Sequence, residues 1–154
     1  MYIEIKLLNK TARLPEKMTE HAAGYDIYAN IPEDITLHPL QRVIVPTGFA
    51  LAIPQQYEAQ IRSRSGLAIK HGIVVLNSPG TIDADYRGEV KIILINLSEN
   101  AFVIKNEMRI AQMIVSKHEN IEFRLVENLD ITSRGEDGFG STESSTYSPK
   151  GQYG

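Results

Sequence analysis

The chain has 154 residues, with 16 Lys and Arg against 19 Asp and Glu and a formal net charge of −3. That length fits one domain, and the charge balance argues against a general nucleic-acid binder, which needs a strongly basic face. The absence of cysteine excludes disulfides, thiol catalysis and thiolate metal sites. No apolar stretch approaches the roughly 20 residues that cross a bilayer. The alternating, charged N-terminal residues do not read as a signal peptide. The expectation is a cytoplasmic domain with no membrane and no direct nucleic-acid partner.

Short β-branched runs predict strands at 2–7, 41–45, 57–62, 73–76, 90–97 and 123–126. Pro15, Pro32, Pro39, Pro46, Pro54 and Pro79 leave little room for a long helix in the first half. One short helix is expected at Ser65–His71, marked by Gly66 and Gly72. Ile104, Met108, Ala111 and Val115 fit a helical spacing, but the β-branched content of 108–114 makes a strand the expectation there. Short strands punctuated by turns predict an all-β sandwich or barrel. From Ser133 onward Gly, Ser and Thr replace large apolar residues, so the segment cannot offset its ordering entropy by burial. The expected organisation is a β domain over 1–132, a Gly-rich lid over 133–142 and a disordered tail over 143–154.

Four segments carry residues that a β core does not require. Asp26 sits in the apolar run 23–29, where a lone carboxylate is costly to bury; a turn or cap role is the bland alternative. At 62–68, Arg62 and Arg64 lead into Ser65-Gly66 and a helix start, an arrangement suited to phosphate or simply a basic strand end. In 77–89, Pro79-Gly80 marks a turn and Gly88 ends a hairpin or loop. Asp83 and Asp85 share a face if the segment is extended, and could hold a water or a divalent metal, or form a solvated acidic hairpin. Tyr86 would then point away, unless a turn intervenes. At 134–142 a Gly-rich strip bears Arg134 and Phe139, one able to meet phosphate and the other to stack on a base. No Walker-type phosphate loop and no nucleophile elbow occur. His21, His38, His71 and His118 lack metal-ligand spacing, and the glycosylation triplets at Asn9 and Asn96 lack a secretory context.

In this order, the segments resemble the motifs of the trimeric deoxyuridine triphosphate nucleotidohydrolases (dUTPases). They are Ala-Gly-Tyr-Asp at 23–26, Arg-Ser-Gly-Leu-Ala at 64–68 and Gly-Thr-Ile-Asp-Ala-Asp-Tyr-Arg-Gly-Glu at 80–89. Arg-Ile-Ala-Gln at 109–112 and Arg-Gly-Glu-Asp-Gly-Phe-Gly-Ser-Thr at 134–142 complete the set. The resemblance implies an all-β, jelly-roll-like subunit with a flexible C-terminal arm, assembled as a homotrimer with shared active sites. It implies hydrolysis of dUTP to dUMP and pyrophosphate with Mg²⁺ on the triphosphate, which limits uracil incorporation into DNA and supplies dUMP for thymidylate synthesis. By the same resemblance Asp83 activates the water, and Tyr86 packs on the deoxyribose and leaves no room for a 2′-hydroxyl. Asn77, Gly80, Thr81 and Ile82 read the uracil, while Arg64, Ser65, Gly66 and Gln112 hold phosphates. Asp26 meets waters on the metal, and Arg134, Phe139, Gly140 and Ser141 close the site.

Three departures from the family pattern stand out. Ser63 replaces a frequent Pro, which is expected to loosen the phosphate loop slightly. Asp137 replaces a frequent Gly, which is expected to weaken lid closure. The tail 143–154 runs past the usual end, and nothing in the sequence explains it. A dCTP deaminase of the same superfamily and a non-catalytic nucleotide-binding module are the alternative readings.

Overall fold

The computed structural model describes residues 1–136. Among them, eleven strands and one helix follow in the order β1 (Glu4–Leu7), β2 (Tyr25–Tyr28), β3 (Ile35–Leu37), β4 (Arg42–Pro46), β5 (Phe49–Ala52), β6 (Tyr57–Arg62), α1 (Ser65–His71), β7 (Ile73–Val75), β8 (Gly80–Ile82), β9 (Lys91–Asn96), β10 (Phe102–Ile104) and β11 (Arg109–Lys117). Every strand pairing is antiparallel. A four-stranded sheet runs β2-β11-β6-β8 and a three-stranded one β4-β9-β7, with the pairs β1-β5 and β10-β3 beside them. The fold is all-β, as the composition predicts. Met1–Asn120 forms one compact unit, and residues 121–136 belong to a second.

Period-two alternation builds the core. In β9, Ile92, Leu94 and Asn96 are buried while Ile93 and Ile95 are half-buried and Lys91 is exposed. Ile27, Val45, Phe49, Ile61, Ile73 and Ile110 join Ile92 and Leu94 in one apolar cluster drawn from both larger sheets. Each such side chain contributes about 1.5–3 kcal/mol by leaving water. Asn96 is fully buried yet satisfied: its Nδ2 donates to the Leu37 and Asn100 carbonyls at 2.9 and 2.8 Å, and its Oδ1 accepts from Ser98. The sequence triplet at Asn96 is therefore structural.

The stretch with helical spacing is strand, as expected. A β-bulge between Arg109 and Ala111 sets two residues of β11 against one of β2, so Ile110 and Ala111 are both buried. The bulge breaks the period-two pattern and imitates helical spacing. The strand expected at 123–126 is absent. Phe123 and Leu125 are 94% and 99% exposed, and this segment finds no ladder partner among the described residues. Short strands β2, β3, β5, β8 and β10 escape sequence reading because three or four residues carry too little alternation. The predicted helix has its expected bounds, ended by Gly72 in the left-handed conformation at φ 64°. No helix among the described residues is long and apolar enough to cross a membrane.

Candidate active site

Asp26, Gln112 and Arg62 occupy one row across β2, β11 and β6, in the registers Gln112↔Asp26 and Gln112↔Arg62. β6 ends at Arg62, so Ser63 and Arg64 leave the sheet beside Gln112. The Arg64 Nε donates to Asp26 Oδ1 at 3.2 Å and its Nη1 to the Arg109 carbonyl at 2.9 Å. Arg109 Nη1 donates to Asp26 Oδ2 at 3.2 Å. The costly lone carboxylate foreseen at position 26 is thus paired twice, which is how a half-buried charge is tolerated. Arg109 and Gln112 lie three apart and would face opposite sides of a regular strand. The bulge corrects this, and both line a groove of about 500 Å³ with Gly24, Asp26, Arg64, Ser65 and Gly66. The motif at 109–112 contains Arg109, but it is not among the predicted site residues.

The Gln112 side chain is held rather than loose. Its Nε2 donates to the Ser63 carbonyl at 3.0 Å, and a Cβ at Gly24 would collide with its Oε1. Ser63 also accepts the Val75 N–H on its hydroxyl at 2.8 Å. The expectation that Ser63 loosens the loop therefore meets an opposing fact: the hydroxyl ties the loop to β7. Beyond it, α1 opens at Ser65 and Gly66, both exposed, and a Cβ at Gly66 would meet nothing within 4 Å. The Arg64 carbonyl takes the Leu67 and Ala68 N–H groups at 3.1 and 3.0 Å, so the first-turn amides ahead of them point outward.

Behind Asp26, Glu16 exchanges two backbone hydrogen bonds with it, at 2.8 and 3.1 Å. The Glu16 carboxylate accepts the Tyr28 hydroxyl and an Arg13 Nη, both at 3.0 Å. These partners, Tyr28 first, hold the Glu16 carboxyl below its ordinary range, and burial followed by Glu16 pushes the Tyr28 hydroxyl up.

The second half of the predicted site lies on β8 and the turn after it. A Cβ at Gly80 would come within 3.1 Å of Asn77 Nδ2, so Gly80 lets that amide lie against the strand. Thr81 is exposed and Ile82 packs against the core. The 83–86 segment is a turn rather than an extension of β8: the Tyr86 N–H donates to the Asp83 carbonyl at 3.2 Å. Asp83 and Asp85 stay exposed, lining an open groove with Gln55, Arg87 and His118.

The two halves do not meet within one chain. The β6–β8 register pairs Ala59 with Ile82 and Ile61 with Gly80, so Asp83 follows toward Glu58 while Arg64 lies past the other end of β6. Four residue steps of β6, roughly 13 Å at about 3.3 Å per residue, separate Glu58 from the strand's end at Arg62, and Arg64 lies two residues beyond. Among the described residues no cluster of three His, Asp or Glu side chains is placed to hold a metal. Arg134 is exposed. Phe139, Gly140 and Ser141, with Asp137 and the tail 143–154, lie outside the described residues.

Residues 10–143 match the dUTPase family model. The chain belongs to the dUTPase family. A curated relative, the deoxyuridine 5'-triphosphate nucleotidohydrolase of Fusobacterium nucleatum, is 54% identical to this dUTPase-family chain over 91% of its length and 97% of the relative's. The dUTPase of Staphylococcus bacteriophage 80alpha, determined with dUPNHPP, superposes with a TM-score of 0.84 at 30% identity, covering 93% of this chain and 99% of that one. A mutant dUTPase from phage phi11 of S. aureus, described with a structural Mg(II) ion, gives a TM-score of 0.77 at 25% identity, covering 85% and 100%.

Proposed function

We propose that this chain is a dUTP diphosphatase that cleaves dUTP to dUMP and pyrophosphate, limiting uracil incorporation into DNA and supplying dUMP for thymidylate synthesis. The observation that carries the reading is the convergence of Asp26, Arg64, Ser65, Gly66 and Gln112 on one groove, joined there by Arg109. Phosphoryl chemistry asks the protein mainly for positioning and charge stabilisation, and two guanidiniums already oriented by one carboxylate meet that demand. Asp83 takes the proton of a water whose oxygen attacks the α-phosphorus; the bond from that phosphorus to the bridging oxygen breaks, and pyrophosphate leaves. Its exposure in a turn leaves room for water and substrate. Asn77, Gly80, Thr81 and Ile82 address the uracil edge, and Tyr86 the deoxyribose.

Mg²⁺ fits this site as a metal carried by the triphosphate. Asp26 spends one hydrogen bond per oxygen on its arginines, and an ionised carboxylate has about four acceptor positions, so it keeps capacity for metal-bound water. When bound, the ion neutralises charge on the phosphate oxygens. The C-terminal residues Arg134, Phe139, Gly140 and Ser141 supply closure, with 1–132 as the catalytic domain, 133–142 as the lid and 143–154 as a tail.

The site is proposed to be shared within a homotrimer. The two groups of residues flank opposite ends of β6, roughly 13 Å apart along the strand itself, which supports a site to which two copies contribute. Exposed Ile121, Phe123, Leu125, Leu129 and Ile131 and an apolar groove of about 470 Å³ lined by Ile3, Ile5, Leu14, Tyr25 and Met113 are surfaces of the kind that association covers.

The test is Mg²⁺-dependent pyrophosphate release from dUTP, with UTP, dTTP and dCTP as competitors, on the parent and Asp83→Asn. Turnover confined to dUTP, lost in Asp83→Asn while nucleotide binding persists, is expected. Tight dUTP binding without release would favour a binding module, and ammonia from dCTP a deaminase.

A further inference from the structure

We propose that Gly88 is a positioning residue for discrimination against ribonucleotides, because its missing side chain is the space in which the Tyr86 ring rests. This rests on the reading of Tyr86 as the residue that packs against the deoxyribose and excludes a 2′-hydroxyl; what is added is the role of Gly88. The sequence suggests a different reason for Gly88, a turn that needs backbone freedom. The positive-φ glycines among the described residues are Gly48, Gly72 and Gly135, so a left-handed backbone does not require glycine at 88. Space does. A Cβ there would lie 2.6 Å from Tyr86 Cζ and 3.0 Å from Cε2, and closer still to the hydroxyl oxygen. Real Cβ atoms do not approach that near, and the outer end of the ring would have to shift.

The ring is latched as well as accommodated. Its hydroxyl donates to the Glu89 carbonyl at 3.0 Å. Glu89 is itself tied down, its Oε1 accepting the Gly48 N–H at 2.9 Å. The next residue, Val90, is fully buried; its N–H donates to the Phe49 carbonyl at 2.9 Å and its carbonyl accepts the Thr47 hydroxyl at 2.6 Å. Tyr86 thus folds back over Gly88 onto a carbonyl anchored to the core, while 45% of the residue stays exposed. A ring fixed at that point presents a wall of set depth. A displaced ring leaves room for one more hydroxyl on the sugar.

The experiment is a double-mutant cycle on the full chain: parent, Gly88→Ala, Tyr86→Ala and the double variant. Each is assayed for kcat/KM of pyrophosphate release from dUTP and from UTP. Gly88→Ala is expected to lower the dUTP-to-UTP ratio by about 10-fold or more. In the Tyr86→Ala background the same substitution should change the ratio by less than about twofold. An unchanged ratio in Gly88→Ala, or an equal loss in both backgrounds, overturns the proposal. If Gly88→Ala alone does not fold, a folded double variant supports the steric account and an unfolded one overturns it. A parent that releases no pyrophosphate from dUTP would sink the proposed activity instead. The same cycle, read as the ratio of dUTP to UTP binding constants, then decides the role of Gly88.

Discussion

Asp26 and Asp83 are both carboxylates of the candidate site, and their surroundings could hardly differ more. The Asp26 side chain is 13% exposed, sits on β2 between β11 and the Glu16 bridge, and has an arginine on each oxygen. Asp83 is exposed at the start of a turn and makes no ion pair among the described residues. In the first region the charges are already oriented by ion pairs within the chain, the kind of preorganisation that electrostatic stabilisation uses. The second is a turn that leaves a carboxylate and a ring exposed, and the proposed function has another copy and substrate complete its surroundings. Stability and function should therefore be coupled at the first and separable at the second.

The largest effect expected on stability comes from Asp26→Asn, which removes the charge shared by Arg64 and Arg109 and sets an amide donor against one of them. A loss of about 1–3 kcal/mol is expected, below that of a fully buried pair because Arg109 remains part-exposed, together with weakened nucleotide binding. Urea unfolding and dUTP titration check both. Ser63→Ala removes the acceptor of the buried Val75 N–H and should cost about 1–2 kcal/mol, with KM for dUTP rising as the Gln112 and Arg64 loop loosens. If Ser63→Ala leaves both unchanged, the hydroxyl tether is incidental and the loop is held by Gln112 and Arg109 alone.

The clamp behind Asp26 gives a pH test. Glu16 binds its proton more weakly when folded than when unfolded, so its stabilisation is fully present above about pH 4.5 and is lost as pH falls through the lower folded value. Tyr28→Phe removes the larger cause of that shift, so the acid-induced fall in the urea midpoint should shrink. At the other extreme, Asp83→Asn should leave stability within about 0.5 kcal/mol while abolishing pyrophosphate release. A destabilised Asp83→Asn would break the contrast between the two regions.

The sequence by itself determined the all-β class and the one short helix, and it named the residues of both halves of the candidate site, because these depend on composition, alternation and local motif order. It also told strand from helix at 104–115, where β-branched content outweighed a misleading period. Only the tertiary structure decided how those residues are used. The β11 bulge, a matter of pairing with β2, turns Arg109 onto the face of Gln112. The Ser63 hydroxyl reaches Val75, twelve residues away in the chain, and replaces an expected weakness with a tether. The 123–126 segment has strand composition but forms no ladder here, since a strand exists only where another offers its hydrogen-bonding edge. Gly88 looks like any turn glycine until the Tyr86 ring is seen lying across it. In each case the deciding contact is set by where the backbone places two distant or folded-back groups, and no local pattern carries that information.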